Sequence, residues 1–135
     1  MKRFSVMLVL ISALFAGCGG AAKYNSVTIS GHVTLDDQPL DSGLIQFAPA
    51  DGNGSVAAAE IKNGEYSGVA TFGNKKVTIT SPKVIGKRKI YDTADSPEVE
   101  LTEERIHRQY NAESTLSARV ATESVKFDFP LKTNP

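Results

Sequence analysis

The sequence predicts an all-β domain: seven short strands packed as an antiparallel sandwich, with one long inserted loop. Three observations predict it. From Val27 onward apolar and polar residues alternate with period two, the repeat of a half-buried strand. Clusters of Gly, Pro, Asn and Asp cut this alternation at short intervals, as turns do. No stretch beyond the N-terminus carries a strong amphipathic helical repeat, and antiparallel sheets of this kind bury their alternating faces against each other about 10 Å apart.

The first strand is expected over Val27 to Leu35, with Val27, Ile29, Val33 and Leu35 on one face and Thr28, Ser30, His32 and Thr34 on the other. Asp36 to Gly43 is turn-rich and leads to Leu44–Pro49, where Ile45 and Phe47 point inward. Asp51-Gly52-Asn53-Gly54 is a loop, after which Val56 to Lys62 resumes as a strand whose alanines predict close packing. Asn63-Gly64 favours positive φ at both central residues of a two-residue hairpin. Gly73-Asn74 predicts a second hairpin, joining Tyr66–Phe72 to Lys75–Ser81. Near the end Leu116, Ala118 and Val120 alternate with polar neighbours, as do Val125, Phe127, Phe129 and Leu131. Pro130 has no amide donor, so the last strand is expected at an edge or with its final residues unpaired.

Ahead of the domain, Lys2 and Arg3 precede an apolar run from Phe4 to Phe15 broken only by Ser5 and Ser12. A dozen residues are too few to cross a bilayer core, which takes roughly 20, so residues 1–17 read as an export signal. The run ends in Ala16-Gly17-Cys18, which holds the only cysteine of the chain. This ending resembles the lipobox of bacterial lipoproteins, with Phe15 where leucine is usual. The resemblance implies cleavage before Cys18 and lipid attachment to it; a plain secretory cut after Ala22 is the alternative. Residues 18–26 then form a small-residue tether and 27–135 the domain. Several acyl chains, each contributing about 0.8 kcal/mol per buried methylene, anchor stably where one does not, and the expected place is the cell membrane or the outer membrane, outside the cytoplasm.

Loss of Lys2 and Arg3 leaves 13 basic against 15 acidic residues, a net charge of about −2. That balance gives no support to nucleic-acid binding. Without a second cysteine the domain has no internal disulfide and depends on its core.

Ile29-Ser30-Gly31-His32-Val33-Thr34-Leu35-Asp36-Asp37-Gln38-Pro39-Leu40, followed by Gly43, Ile45 and Phe47, resembles the opening of the carboxypeptidase-regulatory-like domain. Asn63-Gly64-Glu65-Tyr66 is similar to that family's D-G-x-Y turn, and Lys76-Val77-Thr78-Ile79 to its Y-x-V-x-I strand. Gln38 stands where the family has Gly. The resemblance covers Val27 to Ser81 and implies a transthyretin-like, prealbumin-like Greek-key sandwich, usually non-catalytic. Small envelope lipoproteins carrying one such domain behind a lipobox have the same layout.

Transthyretin-like proteins include hydroxyisourate hydrolases that use His and Arg and end in Tyr-Arg-Gly-Ser; this chain ends Lys132-Thr133-Asn134-Pro135. Its two histidines, His32 and His107, show no sign in sequence of the convergence that acid–base chemistry needs, and no G-x-S-x-G motif is present. Asp51, Asn53 and Ser55 match the first places of a calcium loop, but Val56 and Lys62 replace its glycine and its bidentate glutamate. Zinc-ligand spacing is missing as well. The sequence therefore assigns no catalytic, metal or cofactor residue.

Pro82 to Ser114 exceeds what a minimal sandwich needs, and long connections in compact domains are usually functional or disordered. Its first part is basic (Lys83, Lys87, Arg88, Lys89) and its next acidic (Asp92, Asp95, Glu98, Glu100, Glu103, Glu104). Pro97 to Leu101 is expected as a short strand, Thr102 to Tyr110 as one or two helical turns, and the apolar residues Val84, Ile85, Ile90, Tyr91, Ile106 and Tyr110 predict a loop packed onto the sandwich. Lys83, Lys87, Arg88, Lys89 and Tyr91 are the candidate partner-binding residues, with an envelope protein or an anionic polymer as partner. A carbohydrate-binding or small-ligand domain and a transthyretin-like hydrolase are the other functional classes that stay open.

Overall fold

The computed structural model describes residues 25–123 and 125–135. The export segment, Cys18 and most of the tether lie outside the described residues. No helix among those described is long and apolar enough to cross a membrane.

The alternation that starts at Val27 becomes β1 (Ser26–Leu35), which buries Ile29 and Val33 and leaves His32 exposed. Asp36 and Asp37 take φ of 50° and 67° and turn the chain into the two-residue β2 (Gln38–Pro39), which pairs back on β1. Inward-facing Ile45 and Phe47 place β3 (Ser42–Pro49) in the core. β4 (Ala57–Lys62) and β5 (Glu65–Thr71) flank Asn63 and Gly64, whose φ values of 52° and 79° are the pair a two-residue hairpin requires. β6 (Gly73–Thr80) buries Val77 and Ile79. After β7 (Pro82–Lys89) and β8 (Glu98–Glu104), a single 3-10 turn at Arg108–Tyr110 leads to β9 (Ser117–Val120) and β10 (Phe129–Leu131).

One sheet runs in the order β10-β1-β5-β4-β3-β6-β9, and β7 with β8 forms a separate ribbon. β4 and β5 pair only through Lys62 and Glu65 beside their turn. The sheet curls there, so that the arm holding β5, β1 and β10 faces the arm holding β4, β3, β6 and β9. Phe47 of β3 reaches across to Tyr66 of β5 (ring centroids 5.9 Å apart), Phe127 (6.2 Å) and Phe129 of β10 (6.3 Å). The core is therefore aromatic at its centre and aliphatic around it.

Four expectations are corrected. Gly73-Asn74 does not make a hairpin. β5 is held by β1 over seven residue pairs and by the turn to β4, while β6 crosses to the other arm, where Val77 and Ile79 face Phe47 and Ile45 of β3. The second correction is that the last strand pairs with β1 in parallel. Residues 125–128 run alongside β1 ahead of it, with Ser30 N–H donating to the Val125 carbonyl and Phe127 N–H to that of Ser30, both at 3.0 Å. Pro130 does sit in an edge strand.

Third, the long inserted loop is not a packed loop along its first part. Residues 82–104 form the β7–β8 ribbon, with Val84, Ile85, Ile90 and Tyr91 exposed, whereas Ile106 and Tyr110 join the core. Fourth, Thr102 belongs to β8, and the one helical turn starts later, with His107 as its N-cap. Backbone pairing to β7 satisfies residues 98–104 and leaves them no reason to coil. Among the described residues ten strand segments thus replace the expected seven.

Candidate functional site

The ribbon leaves the sheet where β6 runs on through Ser81 into β7, and a compact polar cluster fixes it there. Ser81 is fully buried, and its hydroxyl donates to the Ser42 carbonyl at 2.6 Å. The Glu104 carboxylate accepts from the backbone amides of Ser81 (2.7 Å) and Ile106 (2.9 Å). Arg105 donates to the Asp41 carboxylate at 2.6 Å and to the carbonyls of Ser81 and Ser42. Charge-assisted bonds of this kind are the stronger ones, so the ribbon is set at a defined angle at its base. Glu104 and Arg105, within the stretch expected as helical turns, instead pin its base.

The register brings the four basic candidates onto one strand and the acidic block onto its neighbour. Lys83 lies opposite Glu103, Lys87 opposite Glu100 and Lys89 opposite Glu98. Opposite charges facing each other across two strands stabilise the pair, and three of the four cations on β7 face a carboxylate in this way. Tyr91 follows β7 at the tip; its backbone amide donates to the Ser96 hydroxyl at 2.7 Å and the residue is 65% exposed.

A register shift between Val84 and Gly86 marks a β-bulge at Ile85 and sorts the two faces. Because side chains alternate along a strand and paired residues share a face, Lys83, Arg88, Ile90, Val99, Leu101 and Glu103 lie on one side. Val84, Thr102 and the charged pairs Lys87–Glu100 and Lys89–Glu98 lie on the other. Ile85 joins the first group: with Lys83 and Glu103 it lines a groove of about 420 Å³ against Leu35 of β1 and Thr133. Ile85, Ile90, Val99 and Leu101 are all exposed. One face of the ribbon is thus an uncovered apolar stripe rimmed by two cations and one carboxylate.

The histidines are not brought together. His32 stands between Asp128 (Nδ1 to carboxylate 3.2 Å) and Glu65 (Nε2 to carboxylate 3.5 Å) on an exposed strand face, while His107 caps the 3-10 turn. Asp51 uses its carboxylate to accept the Asn53 amide at 2.9 Å. Among the described residues no group of three or more His, Cys, Asp or Glu is placed to hold a metal ion.

Three carboxyls bind folded-state donors that hold them below the usual range: Asp128 the backbone N–H of His32 and then its ring, Asp36 the hydroxyl and then the amide of Thr133, and Asp41 the guanidinium of Arg105. Each contributes stability that is complete above the unfolded carboxylate pKa of about 4 and is lost as pH falls through the lower folded value. The unfolding midpoint is therefore expected to be flat from neutral pH to about pH 5 and to drop below about pH 4. Asp128→Asn should make that drop shallower, as a series of thermal melts would record. Burial, with Asp128 second, pushes the Tyr66 phenol upward, so Tyr66 stays a neutral donor throughout.

Comparison with known protein families, characterised proteins and solved structures gives no significant match. Any functional reading therefore rests on the geometry and the sequence of this chain.

Proposed function

We propose that this chain is a lipid-anchored envelope protein whose non-catalytic sandwich, related to the carboxypeptidase-regulatory-like and transthyretin-like Greek-key domains, holds the 82–104 ribbon out to a protein partner. The observation that carries the reading is the uncovered apolar stripe on the ribbon. A two-stranded ribbon without a packed face is marginal in water, yet this one is pinned at its base and exposes Ile85, Ile90, Val99 and Leu101 together. Contiguous exposed apolar surface marks interaction sites.

Position supports the same reading. The described chain begins at Asn25, whose carbonyl accepts from Phe72 N–H at 3.1 Å, and β1 then runs ten residues, about 33 Å, to Leu35 beside the ribbon base. An anchor at Cys18 would leave the ribbon at the far end of the domain from the membrane. Lys83 and Arg88 beside the apolar stripe fit an apolar partner surface with acidic neighbours. A purely anionic polymer fits less well, since the four cations within 82–104 are outnumbered by six carboxylates.

Two experiments test the two halves of this proposal. Acylated protein is expected in the detergent phase after phase separation, and Cys18→Ala in the aqueous phase or unprocessed. A wild-type chain with an unmodified N-terminus at Lys23 by intact mass would remove the anchor. For the ribbon, paired Ile85→Ser and Leu101→Ser changes are expected to abolish association with envelope proteins, with little effect of salt. Ser at Lys87, Arg88 and Lys89 should weaken association only moderately, since exposed charges act over a screening length of about 8 Å. Both variants should keep their unfolding midpoints, because exposed substitutions usually change stability by less than about 0.5 kcal/mol. Loss of stability with unchanged association would assign the ribbon a structural role instead.

A further inference from the structure

The opposite end of the domain, where the described chain begins, holds a cavity of about 560 Å³ lined by Asn25, Pro49, Asp51, Asn53, Phe72 and Asn74 among others, with Lys75 at its wall. This is within the size range of small-ligand pockets. Lys75 is unusual in it. It takes the inward place in the alternation Lys75, Val77, Ile79 and is only 2% exposed. Its ammonium donates to the Thr71 hydroxyl at 2.7 Å, and among the described residues no carboxylate lies within 4 Å of it. A buried ammonium has three donors to place, and taking it out of water is costly unless an opposite charge compensates. Nearby Asp51 is turned to its own loop, accepting the Asn53 amide.

We infer that this cavity is a binding site for a small carboxylate, whose anionic oxygens pair with Lys75 while its polar remainder meets the Asn25, Asn53 and Asn74 amides. The chemistry of the wall supports the class. A single buried cation matches one carboxylate, the amides both donate and accept, and Phe72, 38% exposed, adds an apolar surface at the mouth. A sugar acid and an amino acid share this group. The proposal does not depend on the ribbon, which lies at the other end of the domain.

Amide NMR on the isotope-labelled full-length chain in detergent micelles tests it, with D-galacturonate, L-alanine and D-glucose as probes. Galacturonate, alanine or both should shift the amides of residues 51–53 and 71–75 in a saturable manner, with the stronger of the two naming the source, while glucose leaves them in place. Lys75→Met should weaken the carboxylate response at least tenfold and keep or raise the unfolding midpoint, since replacing a buried charge by an apolar side chain is often neutral or stabilising. Lys75→Gln, which retains a donor for Thr71, provides the same test should the methionine variant fail to fold. The inference is overturned if neither carboxylate shifts these amides, if glucose acts as strongly as galacturonate, or if a folded Lys75 variant binds as the wild type does.

Discussion

Phe47→Ala is expected to lower the stability of the domain by about 3 to 5 kcal/mol, the range for removing a large aromatic side chain from a packed core. Phe47 is 1% exposed and is the common neighbour of Tyr66, Phe127 and Phe129, so its ring joins the two arms of the curled sheet. Small domains are stable by only about 5 to 15 kcal/mol, which makes this loss a large share of the total. Sequence alternation gives Phe127 the same inward place, yet its side chain is only partly buried against the core. Phe127→Ala should therefore cost clearly less than Phe47→Ala. Equilibrium denaturation of the two variants measures both, and equal losses would show that the aromatic centre is misplaced.

Gly31→Ala is expected to be as damaging, for a different reason. A Cβ at position 31 would lie 1.8 Å from the Phe127 carbonyl oxygen and 2.9 Å from the Tyr66 hydroxyl. That hydroxyl donates to the same carbonyl at 2.6 Å. To admit one methyl, the 125–128 segment must leave β1, which breaks the Tyr66 bond and the two backbone bonds to Ser30. Overpacking costs roughly 1 to 3 kcal/mol and a stranded buried hydroxyl about 1 to 3 more, so a total near 3 to 5 kcal/mol is expected. Gly86→Ala is the matched control, since a Cβ there meets nothing within 4 Å; its unfolding midpoint should stay unchanged or rise slightly. A mild Gly31→Ala would mean that the final segment does not close over β1.

The contrast between those two glycines parallels what could be read from the sequence. β1, β3 and the Asn63-Gly64 hairpin were legible because each pairs a period-two pattern with a buried face or a turn that only certain residues can make. The β5-to-β6 connection was not, because a Gly-Asn pair reads as a tight turn whether or not the strands beside it pair with each other. The parallel seating of β10 depends on how residues 125–128 lie along β1, which no local pattern records. The ribbon hid for a related reason: with neither face packed, hydrophobic alternation is weak, and only the matching of a basic run with an acidic run about a dozen residues later signalled the pairing. Lys75 had a visible signal in its parity with Val77 and Ile79, but a lysine on an inward register is easily taken for a strand end.

Site-specific photo-crosslinking in intact envelopes tests the central claim most directly, with the photoreactive residue placed at Ile85 on the apolar stripe and, as control, at Ser67 on the exposed face of β5. Position 85 should give a discrete adduct of defined mass that disappears when Leu101 is changed to Ser, and position 67 should give no such adduct. Absence of any adduct at position 85, or the same adducts from both positions, would contradict it.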